Sequence, residues 1–292
     1  MRTDGLPPGV SLLRNGVFGR QDYGSSYLLA GVGLVDPGTS KSLPDLVNRL
    51  KEENRSLSDI EAVLLTHIHL DHCGAVGRLV EEVPDLKVYV HEKGAPHLAE
   101  PADLLESVKK ATGKRFDQYG DLKPVPEENL YPIRGKQAIE VGRREIIALP
   151  TPGHAPHHLV YFDGESGGLF TGDAAGLYLK GSLFPATPPP SFNLEESLES
   201  LEKMEGLGPS KLLFSHFGPA DAPTNLLDTY RDLLESWVRK VESLHSNGLG
   251  ASGIAERISE SREDRFASEI PFGELEMNVE GVLSYLAWRD DV

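Results

Sequence analysis

Residues 62–75 read AVLLTHIHLDHCGA, and both the fold and the chemistry of the chain turn on them. Ala62 to Thr66 is a continuous run of the kind that buried central strands show. Directly after it, His67, His69, Asp71 and His72 fall within one short turn. Three imidazoles and a carboxylate are suitable donors for a borderline divalent metal, and a turn anchored at a strand end holds them more rigidly than a free loop. Cys73 follows His72 at once and is expected to be a small buried filler, the usual fate of a free cysteine.

Working outward, three further segments repeat the arrangement of apolar strand followed by ligand-type residue. They are LPTPGHAPHH with His154, LFTGDAAG with Asp173, and KLLFSHFGP with His216. One polar residue after a strand is ordinarily a turn former or cap. Four such segments in order supply enough donors for two metals sharing one bridging carboxylate, and they use five of the ten histidines.

Around these segments the first half has a β-α-β rhythm. SYLLAGVGLVDPG (Ser26 to Gly38) reads as paired strands ending in a Pro-Gly turn, Leu43 to Asn54 and Ala75 to Val83 as helices, and Lys87 to His91 as a strand. From Gly94 to Pro132 the pattern becomes helical fragments broken by Gly and Pro, an expected insertion of about residues 94–132 over one face. Strands are expected again at 137–141, 145–149, 158–163, 168–171 and 211–214, with a helix over 194–206. After Asn225 the reading is helical: Leu226, Leu227, Tyr230, Leu233, Trp237, Val241 and Leu244 form one stripe, and Val279 to Trp288 ends the chain similarly. A boundary near Pro223 divides an expected catalytic domain, 1–222, from a helical extension, 223–292. That extension is expected either to cap the site or to serve a homodimer.

The chain of 292 residues is long enough to bury a sizeable core. With 39% hydrophobic and 25% charged residues and no apolar run of ~18 residues, an integral membrane protein is excluded. No secretory signal is visible and the one cysteine cannot form an internal disulfide, so a cytoplasmic location is expected. The formal charge of −16 argues against an extended nucleic-acid surface. Arg257, Arg262 and Arg265, interleaved with Glu256, Glu260, Glu263 and Asp264, read as a solvated, salt-bridged face.

The motif HxHxDH with its downstream His, Asp and His resembles the metallo-β-lactamase-fold hydrolases, the broad group that includes glyoxalase II. The resemblance covers Asp36 to His216 and implies an α/β fold, a four-layer αβ/βα sandwich with the metal site at one edge between two sheets. By that resemblance His67, His69 and His154 hold one metal, Asp71, His72 and His216 the second, and Asp173 bridges them. Asp36 matches the family's early Asp after a strand, which orients ligands. A second His after the metal-binding one matches His158, while His157 stands where the family often has Gly, a departure that alters a pocket wall. Asp173 stands where one β-lactamase subclass has cysteine, so antibiotic hydrolysis is not the default. His69 stands where flavodiiron relatives have Glu. Tyr178 is close enough in sequence to the bridging Asp either to hydrogen-bond a substrate oxygen or merely to pack. His91, His97 and His245 lack a ligand-like pattern.

The resemblance implies a hydrolase with two Zn²⁺ ions, iron or manganese being the alternatives. Zinc brings the pKa of a bound water to about 7, and the hydroxide so formed attacks an electrophilic centre, with Asp71 accepting or shuttling the proton. The expected partner is a small ester, thioester or lactone. The rivals are a phosphodiester- or RNA-cleaving enzyme of the same fold, a mononuclear-iron sulfur dioxygenase, and a metal-holding protein without catalysis. The stretch between Asp173 and His216 is too short for the large inserted domain of RNA-processing members.

Overall fold

The computed structural model describes residues 5–260, 270 and 272–291. Two six-stranded sheets lie face to face. The first runs β1 (Val10–Arg14), β2 (Ser25–Leu29), β3 (Gly33–Val35), β4 (Ala62–Leu64), β5 (Lys87–His91) and β6 (Leu130–Ile133), antiparallel through β3 and parallel from β3 to β6. The second sheet holds β7 (Gln137–Val141), β8 (Arg144–Pro150), β9 (Leu159–Asp163), β10 (Gly168–Gly172), β13 (Lys211–Phe214) and β14 (Gly218–Ala220). Its spatial order is β14-β13-β10-β9-β8-β7, with β10 and β13 its parallel pair. β11 (Leu177–Leu179) and β12 (Ser182–Phe184) form a separate hairpin.

The continuous apolar run at Ala62–Leu64 is central because both its faces are covered. Leu64, Val35 and Tyr27 meet Tyr161, Phe170 and Leu213 of the second sheet in one apolar layer. Val63 and Leu34 face the outer helices α1 (Leu43–Glu52) and α3 (Val76–Glu82), through Leu46, Leu50, Val76 and Leu79. On the far side, α6 (Leu194–Glu205), α7 (Pro223–Ser246), α8 (Ala251–Ser259) and α9 (Phe272–Asp291) pack on the second sheet. Between α3 and α6 in the chain come α4 (Ala95–Ala99) and α5 (Ala102–Thr112). The layers are therefore helix, sheet, sheet, helix, with terminal helices added to the second outer layer.

One expectation needs correction here. The helical stretch read over 94–132 stops short, because Leu130–Ile133 is β6, an edge strand parallel to β5. Pro132 disguised it, and an edge is where a strand tolerates proline. The terminal helices share one apolar cluster with β10 and β13: Leu227, Tyr230, Leu234, Leu275 and Val279 contact the same core as Leu169, Leu212 and Phe214. Leu234 and Val238, outside the stripe read from sequence, are buried on α7, while Leu226, Leu233 and Leu244 are only partly covered.

Candidate metal centre

The site residues follow the carboxyl ends of strands that point the same way. β3 and β4 are parallel, β10 and β13 are parallel, and β8 and β10 both run against the β9 between them. Asp36 therefore follows β3, His67 and His69 follow β4, His154 follows β8, Asp173 follows β10 and His216 follows β13, all at one edge of the two sheets. His69 caps the four-residue helix α2 (Leu70–Cys73), which carries Asp71 and His72.

Three donor groups form, each with its ligand atoms within 4.8 Å of one another: His67, His69 and His154; Asp71, His72 and His216; and His67, His72 and Asp173. In the first, His69 Nδ1 lies 2.9 Å from His67 Nε2 and 3.1 Å from His154 Nε2. In the second, His72 Nε2 and His216 Nε2 are 3.2 Å apart, and Asp71 Oδ2 is 3.4 Å from His216 Nε2. Asp173 lies between the groups, with Oδ2 3.6 Å from His72 Nε2 and 3.7 Å from His154 Nε2.

The hydrogen bonds behind the rings fix which nitrogens face inward. His154 Nδ1 meets the Ala186 carbonyl at 2.9 Å, and His216 Nδ1 meets the Tyr23 carbonyl at 3.1 Å. Carbonyls only accept, so both Nδ1 atoms carry protons and the neutral Nε2 atoms carry lone pairs. His72 Nδ1 donates to Asp36 Oδ2 at 2.9 Å in the same way. The Nε2 atoms of His72 and His216 consequently face each other at 3.2 Å, a place that takes either a shared proton or a cation. Buried Asp173 Oδ1 has no hydrogen-bond partner, although a buried carboxylate oxygen normally has one. Tetrahedral zinc with ~2.0–2.1 Å bonds sets its donors about 3.3 Å apart, close to these separations. The residues fit a pair of divalent metal ions.

Electrostatics agree. Burial works against a charged His72, yet Asp173, Asp36 and Asp71 overcome it and hold its pKa well above the ordinary value. Burial, then neighbouring imidazoles, hold His67 and His69 well below theirs, leaving neutral rings. For Asp71, burial pushes upward but His72 and His216 win, and its pKa falls to about 2.

The supporting residues are equally specific. Asp36, at φ 47°, accepts from the Thr66 N–H at 2.8 Å, the Thr66 hydroxyl at 2.7 Å and the Ser215 hydroxyl at 2.8 Å, besides His72. His158 Nε2 accepts the Asp173 backbone N–H at 3.1 Å, so its Nδ1 carries the proton and donates to Thr151 Oγ1 at 3.0 Å. Its ring stacks on His67 at 5.0 Å. Gly172, at φ +50°, is required where a Cβ would come 2.6 Å from His158 Nε2.

A cavity of about 250 Å³ opens onto the centre, lined by His69, Asp71, His154, His157, Asp173 and His216 at its floor. Tyr178 is not part of that wall. Its ring stacks on Phe214 at 5.1 Å and Leu177 takes the wall position, because alternate residues of β11 point to opposite sides. His157 does line the cavity; burial, then His154, bring its pKa down to about 3. Cys73 is buried with Sγ 3.2 Å from the Ile68 carbonyl. His91 is buried, while His97 and His245 are exposed. Arg257 pairs with Glu260 at 3.9 Å in the open, whereas Arg262, Glu263, Asp264 and Arg265 lie outside the described residues.

Sequence reasoning missed the rest of the wall, which includes Phe18, Tyr23, Leu104, Pro188–Pro190, Glu274 and Met277. One signal was available on α9. Glu274, Asn278 and Gly281 recur at helical spacing beside the apolar Leu275, Val279 and Val282, where plain core packing would not place them.

The sequence model of the metallo-beta-lactamase superfamily matches residues 19–216, the span that holds every donor above. The chain belongs to the metallo-beta-lactamase superfamily. Members of this superfamily bind metal ions and many are hydrolases, in keeping with the His and Asp groups here. Among its relatives is the metallo-beta-lactamase fold-containing protein ST1585 of Sulfurisphaera tokodaii, 31% identical over 199 residues, or 66% of this chain and 72% of that protein. A hydroxyacylglutathione hydrolase of Legionella pneumophila (strain Lens) is 30% identical over 59% of this chain and 52% of its own. Among solved structures, a metallo-beta-lactamase family protein of Thermus thermophilus has the same fold at TM-score 0.72 and 24% identity, covering 97% of this chain and 94% of that one. No helix among the described residues is long and apolar enough to cross a membrane.

Proposed function

We propose that the protein is a metal-dependent hydrolase of a small ester, thioester or lactone, using two divalent ions, zinc by donor preference. The observation that carries the reading is the buried, unpartnered Asp173 Oδ1 between two inward-facing nitrogen sets, at the floor of a cavity. His67, His69 and His154 would hold one ion, Asp71, His72 and His216 the other, and Asp173 both.

When bound, such ions supply an acidified water and a Lewis acid for the acyl oxygen. Asp36 and His158 hold His72 and Asp173 in place. Asp71 lies at the cavity floor, where its carboxylate is placed to take up or pass on a proton. The apolar walls exclude bulk water from the reacting atoms. A phosphodiester path would need cations, and among the described residues the cavity wall includes no Lys or Arg. The Legionella relative supports acyl transfer to water as the reaction class, without fixing the leaving group.

The test is Asp71→Asn against a panel of esters, thioesters and lactones, with metal content measured in the same samples. The expected result is a loss of about 10²-fold or more in kcat. Near-normal turnover at full metal occupancy would overturn the role of Asp71. Inertness of the wild type toward the whole panel with both ions bound would overturn the hydrolase reading.

A further inference from the structure

The cavity's charge pattern says what can occupy it. Above the metal floor its walls are mainly apolar, with Phe18, Leu104, Val108, Leu177, the Pro188–Pro190 run and Met277, besides the uncharged polar Ser107, Thr112, Tyr119, Ser191 and Asn278. Into this apolar space α9 brings one carboxylate, Glu274, whose Oε2 accepts the Tyr23 hydroxyl at 2.9 Å. Tyr23 in turn lies against His216, ring to ring at 4.6 Å. Glu274 therefore stands one side chain away from the centre. Burial, with the Asp71 carboxylate adding to it, holds its pKa above the ordinary carboxyl value, and the Tyr23 hydroxyl, His216 and Arg115 offset part of that rise.

No described Lys or Arg lines the wall to balance Glu274, and His157, with its depressed pKa, adds no charge. With two divalent ions bound, the carboxylates of Asp36, Asp71, Asp173 and Glu274 would match their charge, and the nearby Arg115 guanidinium is turned to the Gly273 carbonyl at 2.8 Å, outside the lining residues. At about 250 Å³ the cavity is just below the ~300–1,000 Å³ typical of small-molecule sites, which favours a compact acyl group.

We infer that the acyl portion of the substrate is uncharged and apolar, and that Glu274 is the specificity-determining residue that turns away acyl groups bearing a carboxylate. This deepens the hydrolase reading and rests on it. A like charge facing the substrate costs enough to be read as selectivity, whereas the apolar wall rewards any neutral group of the same shape.

The experiment compares two nearly isosteric p-nitrophenyl esters, the 4-methylpentanoate and the hemisuccinate, on the metal-loaded protein and on Glu274→Gln. Calorimetric binding of the matching unreactive amides, 4-methylpentanamide and succinamate, is measured alongside. In the wild type the neutral ester is favoured in kcat/KM by about 100-fold, and Glu274→Gln narrows that ratio about 10-fold by improving the anionic ester. Tyr23→Phe, which removes the hydrogen bond and leaves the charge, keeps the preference. Hydrolysis of both esters with no preference, or a preference that Glu274→Gln leaves unchanged, overturns the inference while the hydrolase reading stands. If neither ester is cleaved yet the neutral amide binds better and Glu274→Gln narrows the gap, the specificity role stands and the hydrolase reading falls. No hydrolysis and no binding preference overturns both.

Discussion

At the scale of single residues, the centre is held by side chains that never face the cavity. His158 is buried, spends one nitrogen on the Asp173 backbone and the other on Thr151, and is not itself a member of the donor groups. His158→Ala leaves the Asp173 N–H unpaired, at a cost of about 1–3 kcal/mol, and frees the Asp173 carboxylate to move. Thermal unfolding and metal titration should show a lower Tm together with weaker binding of both ions. Unchanged metal affinity would reduce His158 to a packing residue. Protonation gives a second prediction at this scale. His157 and His158 have folded pKa values below the ordinary 6.5, burial being the first cause, and His157 lies near 3. As pH falls below about 6.5 the unfolded chain binds protons that the folded chain refuses, so stability is lost between about pH 6.5 and 3. Denaturant unfolding of metal-free protein should trace that decline, and His157→Gln should flatten it. The candidate donor groups were legible in sequence because a local motif and three strand-end repeats carry them. Tyr23 and Glu274 were not, because 251 positions separate them and their meeting depends on the packing of α9.

At the scale of elements, the strands that read clearly were those with uninterrupted apolar runs between two covered faces, such as Ala62–Leu64 and Lys211–Phe214. The missed strands were marginal ones, among them the three-residue strands of the β11–β12 hairpin. β1 and β6 are the edges of the first sheet and β14 is an edge of the second, and edges owe less to burial than to ladder hydrogen bonds with one neighbour. A helix contact yields the test at this scale. Gly281 of α9 is pressed against the backbone at Thr187 and Pro188, so that a Cβ would overlap the Thr187 carbonyl. Asn278, one turn earlier, accepts the Thr187 backbone N–H and hydroxyl, pinning the Pro188–Pro190 wall to the helix. Gly281→Ala cannot be absorbed by a rotamer change. It should cost about 1–3 kcal/mol and raise KM by shifting that wall, measured by unfolding and by ester kinetics. A variant with wild-type stability and KM would show that α9 does not shape the cavity.

At the scale of the whole molecule, the −16 charge describes the surface rather than the site, where an excess of imidazoles and a few carboxylates await cations. Length and composition bounded the size, the motif's resemblance carried the fold class, and periodicity carried the terminal helices; the shared core of those helices with the second sheet is a tertiary fact that no periodicity carries. Leu275, Val279, Val282, Tyr285 and Leu286 of α9 are all buried in that core. At ~1.5–3 kcal/mol apiece they rival the ~5–15 kcal/mol by which a typical domain is stable. A chain ended at residue 260 should therefore lose cooperative unfolding, as followed by circular dichroism, and a stable, cooperative truncate would contradict this. The central claim is that two histidine-carboxylate groups joined by Asp173 hold a pair of divalent ions. Elemental analysis of zinc-reconstituted, dialysed protein tests it most directly. The account predicts two ions per chain in the wild type, one in His216→Ala, and catalysis lost with the second ion. Fewer than two ions in the wild type, or two retained in His216→Ala, would contradict it.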